Sequence, residues 1–102
     1  MRTPIEAEQF LATPGLEAWE LEAGAATIVF RTADFTSGAR FALEVAAIAD
    51  ELDHHPDLDL RYGSVTIRTS THSTGGLTQL DIALAERVTE LAAAHGFAAA
   101  PD

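Results

Sequence analysis

The sequence predicts an α+β fold: a four-stranded antiparallel sheet with three helices packed on one face, in the order α-β-β-α-β-β-α. Three observations predict it. Residues 18–32 and 58–70 are each rich in strand-forming residues and are each broken by a glycine-containing turn. Residues 34–52 and 80–91 carry apolar side chains at helical spacing. A short segment opening on Thr3-Pro4 has helix-start chemistry. Two hairpins with helices around them make a two-layer architecture.

Taken in order, Thr3 is the expected N-cap of the first helix, Pro4 its first residue and Glu6 the far end of a capping box. Phe10 and Leu11 supply its apolar contacts, and Thr13-Pro14-Gly15 stops it. Ala18-Trp19-Glu20-Leu21-Glu22 and residues 26–32 form the first hairpin across the turn Ala23-Gly24-Ala25. In the long helix, Phe41, Val45, Ile48 and Leu52 make the core face, with Asp34 or Thr36 as cap. Pro56 disfavours helical geometry at His55, so this helix ends near Asp53 or His54. In the second hairpin, Leu58, Leu60 and Tyr62 share one face of the first strand. Val65, Ile67 and Thr69 share one face of the second, opposite Thr66, Arg68 and Ser70, and Gly63-Ser64 is the turn. Gly75-Gly76 reads as a flexible connection. Thr78-Gln79-Leu80-Asp81 is a second capping box, Leu80, Leu84, Val88 and Leu91 face the core, and Gly96 follows the helix end. Residues 98–102 are expected to fray.

The length of 102 residues suits one domain, taken as residues 1–102. There is no cysteine, which excludes disulfides, thiolate metal sites and a cysteine nucleophile. Six basic residues against sixteen acidic ones give a formal charge of -10, which argues against direct nucleic-acid binding and against an anionic membrane surface. No apolar run approaches the ~20 residues that cross a bilayer. Residues 1–6 lack the apolar stretch of a signal peptide, so the expected location is the cytoplasm.

Three of the four histidines flank the second hairpin: His54 and His55 at the end of the long helix, and His72 just past the last strand. Histidine alone has an ordinary pKa that serves both acid and base near neutrality. A helix end and a strand end can lie together at one edge of a sheet. Each histidine taken alone reads first as a cap or a solvated side chain. Three imidazoles could also bind zinc, but adjacent side chains do not readily face one ion, and no His-Glu-x-x-His spacing occurs. Asp50 lies four residues before His54, where a continuous helix would bring the two together; otherwise it is a solvated acid. Asp81 reads first as a capping residue, and His95 as a cation at a helix C-terminus. There is no Gly-x-Ser-x-Gly elbow and no phosphate-binding loop.

The ordered set Asp50, His54-His55-Pro56, Tyr62, Thr71-His72, Gly76-Leu77-Thr78 and Asp81 resembles the signature of the pterin-4a-carbinolamine dehydratases. Trp19, Phe30 and Asp34-Phe35 match that family's first hairpin and its entry into the long helix, and the resemblance covers roughly residues 5–95. Many members carry Glu where this chain has Asp50, and Trp where it has Leu58. The resemblance implies dehydration of 4a-hydroxytetrahydropterin to quinonoid dihydropterin and water, which recycles the tetrahydropterin spent by aromatic amino-acid hydroxylases. It implies no cofactor and no metal, a homodimer or homotetramer, and a functional link to a hydroxylase. His54 and His72 become the acid-base candidates, with the roles of acid and base unassigned. His55 would hold the pterin and share in proton transfer, Asp50 would tune the histidine beside it, and Asp53, Ser70, Thr71 and Ser73 would hydrogen-bond the ring. Some relatives instead serve as dimerisation or assembly partners, so a non-catalytic module that binds another protein is the alternative.

Overall fold

A computed structural model describes residues 3–100. Helix α1 (Ala7–Leu11) precedes strands β1 (Glu20–Glu22) and β2 (Ala25–Arg31). Helix α2 (Phe35–Leu52), strands β3 (Asp57–Arg61) and β4 (Ser64–Thr69) and helix α3 (Gln79–His95) follow. The strands form one antiparallel sheet of order β1-β2-β4-β3, so the two hairpins meet at the central β2–β4 pair. Three helices and four strands thus occur in the expected order.

The two-residue period decides which side chains enter the core. Ala26, Ile28 and Phe30 of β2 stand opposite Thr69, Ile67 and Val65 of β4, and all six are buried. Phe41, Val45 and Ile48 of α2 and Leu84, Val88 and Ala92 of α3 pack on this face; Leu52, Leu60 and Leu91 close its margins. Phe30 meets Phe41 edge to face at 5.7 Å, and Phe10 meets Trp19 at 6.0 Å. The Trp19 indole donates to Thr89 Oγ1 at 3.0 Å, which satisfies its one polar atom. No helix among the described residues is long and apolar enough to cross a membrane.

Several local expectations are corrected. The capping box at Thr3 does not form. Ile5 donates its N–H to Leu77 O at 2.9 Å and Pro4 bridges to Thr78, so this segment is extended and α1 begins at Ala7. A cap contributes only about 1 kcal/mol, which non-local backbone pairing and packing of Ile5 can outweigh. The first strand is shorter than expected, because Trp19 N–H turns back to Leu16 O at 3.1 Å. Tyr62 lies in the Tyr62-Gly63 turn at 80% exposure and does not share a face with Leu60; Gly63, at φ 83°, makes that turn. Residues 98–100 do not fray: Arg31 N–H donates to Ala98 O and Ala100 N–H to Val29 O, extending the sheet edge beyond β1. Residues 101–102 of that predicted tail lie outside the described residues.

The expected caps at both ends of the two long helices do form. Asp34 caps α2 by accepting from Ser37 N–H at 2.8 Å. Asp53 ends α2 in the left-handed region, at φ 49° and ψ 44°. Thr78 and Asp81 make the capping box of α3, and Gly96 closes that helix at φ 78°.

Candidate active site

The turn at Asp53 separates two adjacent histidines. A non-glycine residue in the left-handed region is uncommon, and Asp tolerates it better than most. There the chain reverses, His54 N–H closes the helix on Ala49 O at 3.1 Å, and Pro56 holds the following segment extended. His54 is carried inward and is only 6% exposed, whereas His55 lies outside.

Inside, His54 Nε2 lies 2.7 Å from Asp81 Oδ1. Asp81 is fully buried and saturated with donors. Its Oδ1 also accepts from Thr69 Oγ1 at 2.6 Å, and its Oδ2 accepts from Thr71 Oγ1 at 2.7 Å and from Thr78 N–H at 2.8 Å. Thr78 Oγ1 lies 2.9 Å from Thr71 Oγ1 and accepts from Leu80 N–H. Since Thr71 gives its proton to Asp81, Thr78 donates to Thr71. An ionised carboxylate can only accept, so opposite Asp81 in that form the His54 nitrogen facing it is the one bearing hydrogen. Nδ1 is then the nitrogen with the free lone pair. It has no partner among the described residues and is not sealed from solvent.

Outside, His55 Nε2 lies 3.0 Å from Asp50 Oδ1, with the two side chains 59% and 76% exposed. Asp50 therefore meets His55 and not His54. The rule of four residues presumes a helix that runs on through residue 54, and α2 ends at Leu52. His72 stands in a tight loop closed by Thr71 N–H to Gly76 O at 2.8 Å and Gly75 N–H to Thr71 O at 3.1 Å. This loop replaces the flexible connection expected at Gly75-Gly76. An ideal Cβ on Gly24 of the first hairpin would lie 2.7 Å from Gly75 O, so that turn abuts the loop.

Asp53, His54, His55, Ser70 and His72 line one open cleft of about 260 Å³. The structure thus gathers the three candidate imidazoles, from a helix end and a strand end, together with Asp53 and Ser70 in one lining. Thr71 and Ser73 are not in its lining. The Thr71 hydroxyl and N–H are both spent on internal bonds, and Ser73 is exposed on the outer loop. The residues missed as site partners are Thr69 and, behind His54, Asp81. Their signal was the alternation Thr69, Thr71 against Ser70, His72, with Asp81 at the third position of the last helix. His95, read only as a helix-end cation, also pairs with Glu44 Oε1 at 2.7 Å and stacks on Phe97 at 5.1 Å. Among the described residues no group of three or more His, Asp or Glu is placed to hold a metal ion.

Comparison with known proteins defines the class. The family model described as pterin 4 alpha carbinolamine dehydratase matches residues 2–91, and the chain belongs to that family. A Streptomyces coelicolor protein, provisionally named a pterin-4-alpha-carbinolamine dehydratase, is 44% identical over 95 residues, covering 92% of each chain. A Metallosphaera sedula protein with the same provisional name is 45% identical over 80 residues, covering 78% of this chain and 83% of its own. The crystal structure of a transcriptional coactivator/pterin dehydratase from Brucella melitensis superposes with a TM-score of 0.80 at 30% identity, over 88% of this chain and 99% of that one. A pterin dehydratase-like protein described as a RuBisCO assembly factor in the alpha-carboxysome shares the fold at a TM-score of 0.60 and 20% identity, over 72% of this chain and 86% of that one.

Proposed function

We propose that the chain removes water from 4a-hydroxytetrahydropterin by histidine acid-base catalysis, giving quinonoid dihydropterin. The observation that carries this reading is the single cleft lined by His54, His55 and His72. The reaction needs a proton taken from N5 and a proton given to the hydroxyl leaving C4a, with a C4a–N5 double bond formed between. A base and an acid on two sides of one flat ring meet that need, each contributing about 10²–10⁴-fold.

In this reading His54 takes the N5 proton at Nδ1. Its other nitrogen is held by Asp81, which fixes the tautomer and stabilises the imidazolium that forms, as an orienting carboxylate does in other histidine sites. His72 delivers a proton to the departing hydroxyl. His55 holds the ring and is tuned by Asp50, while Asp53 and Ser70 hydrogen-bond the pterin edge. No metal or cofactor enters any step.

The same reading places the chain in the cytoplasm, recycling tetrahydropterin for an aromatic amino-acid hydroxylase, as a homodimer or homotetramer. Supporting association, Phe35 and Leu43 of α2 are 50% and 72% exposed. Exposed apolar groups also motivate the second reading, a non-catalytic dimerisation or assembly module.

One assay separates them. Purified chain should accelerate the decay of 4a-hydroxytetrahydropterin, His72→Ala should slow that decay at least 100-fold, and a chelator should change neither. A chain with no effect on the decay leaves the assembly role as the better reading.

A further inference from the structure

The histidine cleft does not end at His72. A second lobe of about 340 Å³ shares Ser70 and His72 with it and is lined further by Arg68, Asp57, Thr71 and the turn residues Ala23, Gly24 and Gly75. The strand period explains the junction. Thr69 and Thr71 turn inward to Asp81, so Arg68, Ser70 and His72 turn outward in a row, and the row runs from one lobe into the other. Small-molecule sites usually occupy roughly 300–1,000 Å³. The histidine lobe, at about 260 Å³, falls below that range by itself, and the adjoining lobe brings the groove into it.

Arg68 is the cation of this second lobe. Arg61 pairs with Asp59 and Arg87 with Glu51, whereas Arg68, like Arg31 and Arg40, makes no ion pair within 4.0 Å among the described residues; what sets Arg68 apart is its place in the lobe beside His72. Asp57 stands opposite it in the β3–β4 ladder and lines the same lobe, yet does not close on it. A guanidinium left open beside a catalytic histidine is a fork-shaped donor for an oxyanion. The carboxylate across from it opposes that anion and limits the gain.

We propose that, with a pterin ring in the histidine lobe, this second lobe takes the substituent carried by the ring, and that Arg68 selects pterins whose substituent ends in an anion, a phosphate ester or a carboxylate. The inference rests on the dehydratase reading, because the ring must occupy the first lobe for its tail to reach the second.

The test is a fluorescence titration of the full chain with three stable probes: 6-hydroxymethylpterin, its phosphate monoester and 6-carboxypterin. At low salt the phosphate ester should bind on the order of 5- to 10-fold tighter than the alcohol, the range of a partly solvated charge-assisted contact. Arg68→Gln should bring that ratio to about one, and Asp57→Asn should raise it. If only 6-carboxypterin gains over the alcohol, the anion selected is a carboxylate. Equal binding of all three probes by the unmodified chain, or an unchanged ratio in Arg68→Gln, overturns the anion selectivity while dehydratase turnover of a neutral substrate still stands. Absence of binding by every probe, together with no turnover, removes the parent reading and this one with it.

Discussion

His54 and His55 are neighbours in the chain, and each faces an aspartate at 2.7–3.0 Å, yet they inhabit different media. The His54–Asp81 pair is 6% and 0% exposed and is tied into three threonines. The His55–Asp50 pair is 59% and 76% exposed and touches nothing else through those carboxylate oxygens among the described residues. An exposed pair is screened by water and contributes little, whereas a buried one, once satisfied, resists losing either member. The same two side-chain types therefore make a fixed element in one place and an adjustable one in the next. One residue, Asp53 in its left-handed conformation, makes the difference by sending successive side chains in opposite directions.

Breaking the buried side of this comparison should give the largest effect. Asp81→Ala strands the donors of Thr69, Thr71, Thr78 and His54 and should lower unfolding free energy by about 3–5 kcal/mol in urea titration. Gly24→Ala should come next. Residue 24 sits at φ 79°, and a methyl there meets Gly75 O at 2.7 Å, so both the turn and the His72 loop must move. A loss of about 1–3 kcal/mol is expected, with a several-fold fall in kcat.

Asp50→Ala removes only the exposed partner and should change stability by less than about 1 kcal/mol. Smallest of all is a pH effect far from the site. The Ser37 backbone N–H bonded to Asp34 holds its carboxyl below the usual value of 3.8. A lowered folded-state value contributes stability that is present above the unfolded value and is lost as pH falls through the folded one. Asp34→Asn, which can still cap the helix, should flatten the stability profile below pH ~4 without altering it near neutrality.

What could be read in advance divides along the same line. Residues that obey a local period declared themselves: Phe41, Val45 and Ile48 on α2, Val65, Ile67 and Thr69 on β4, and the caps at Asp34 and Thr78. Each of those rules spans a few residues. The His54–Asp81 bond joins positions 27 apart, and no local pattern encodes it. Four residues make one helical turn, which points from Asp50 to His54, but α2 stops at Leu52 and the pairing does not form. The Thr3 cap and the fraying of residues 98–100 fail for a related reason: Pro4 and Ile5 pair with Thr78 and Leu77, and residues 98–100 pair with β2, partners distant in sequence that a local rule cannot see. The three histidines were legible as candidates by their chemistry, and only the fold brings them to one cleft.

The most direct measurement is the turnover of 4a-hydroxytetrahydropterin by His54→Gln and His55→Gln, assayed side by side with the unmodified chain. We expect His54→Gln to lose about 10²–10⁴-fold in kcat and His55→Gln to lose about tenfold or less. Full activity in His54→Gln, or an equal loss in both variants, would contradict the assignment of base catalysis to the buried pair.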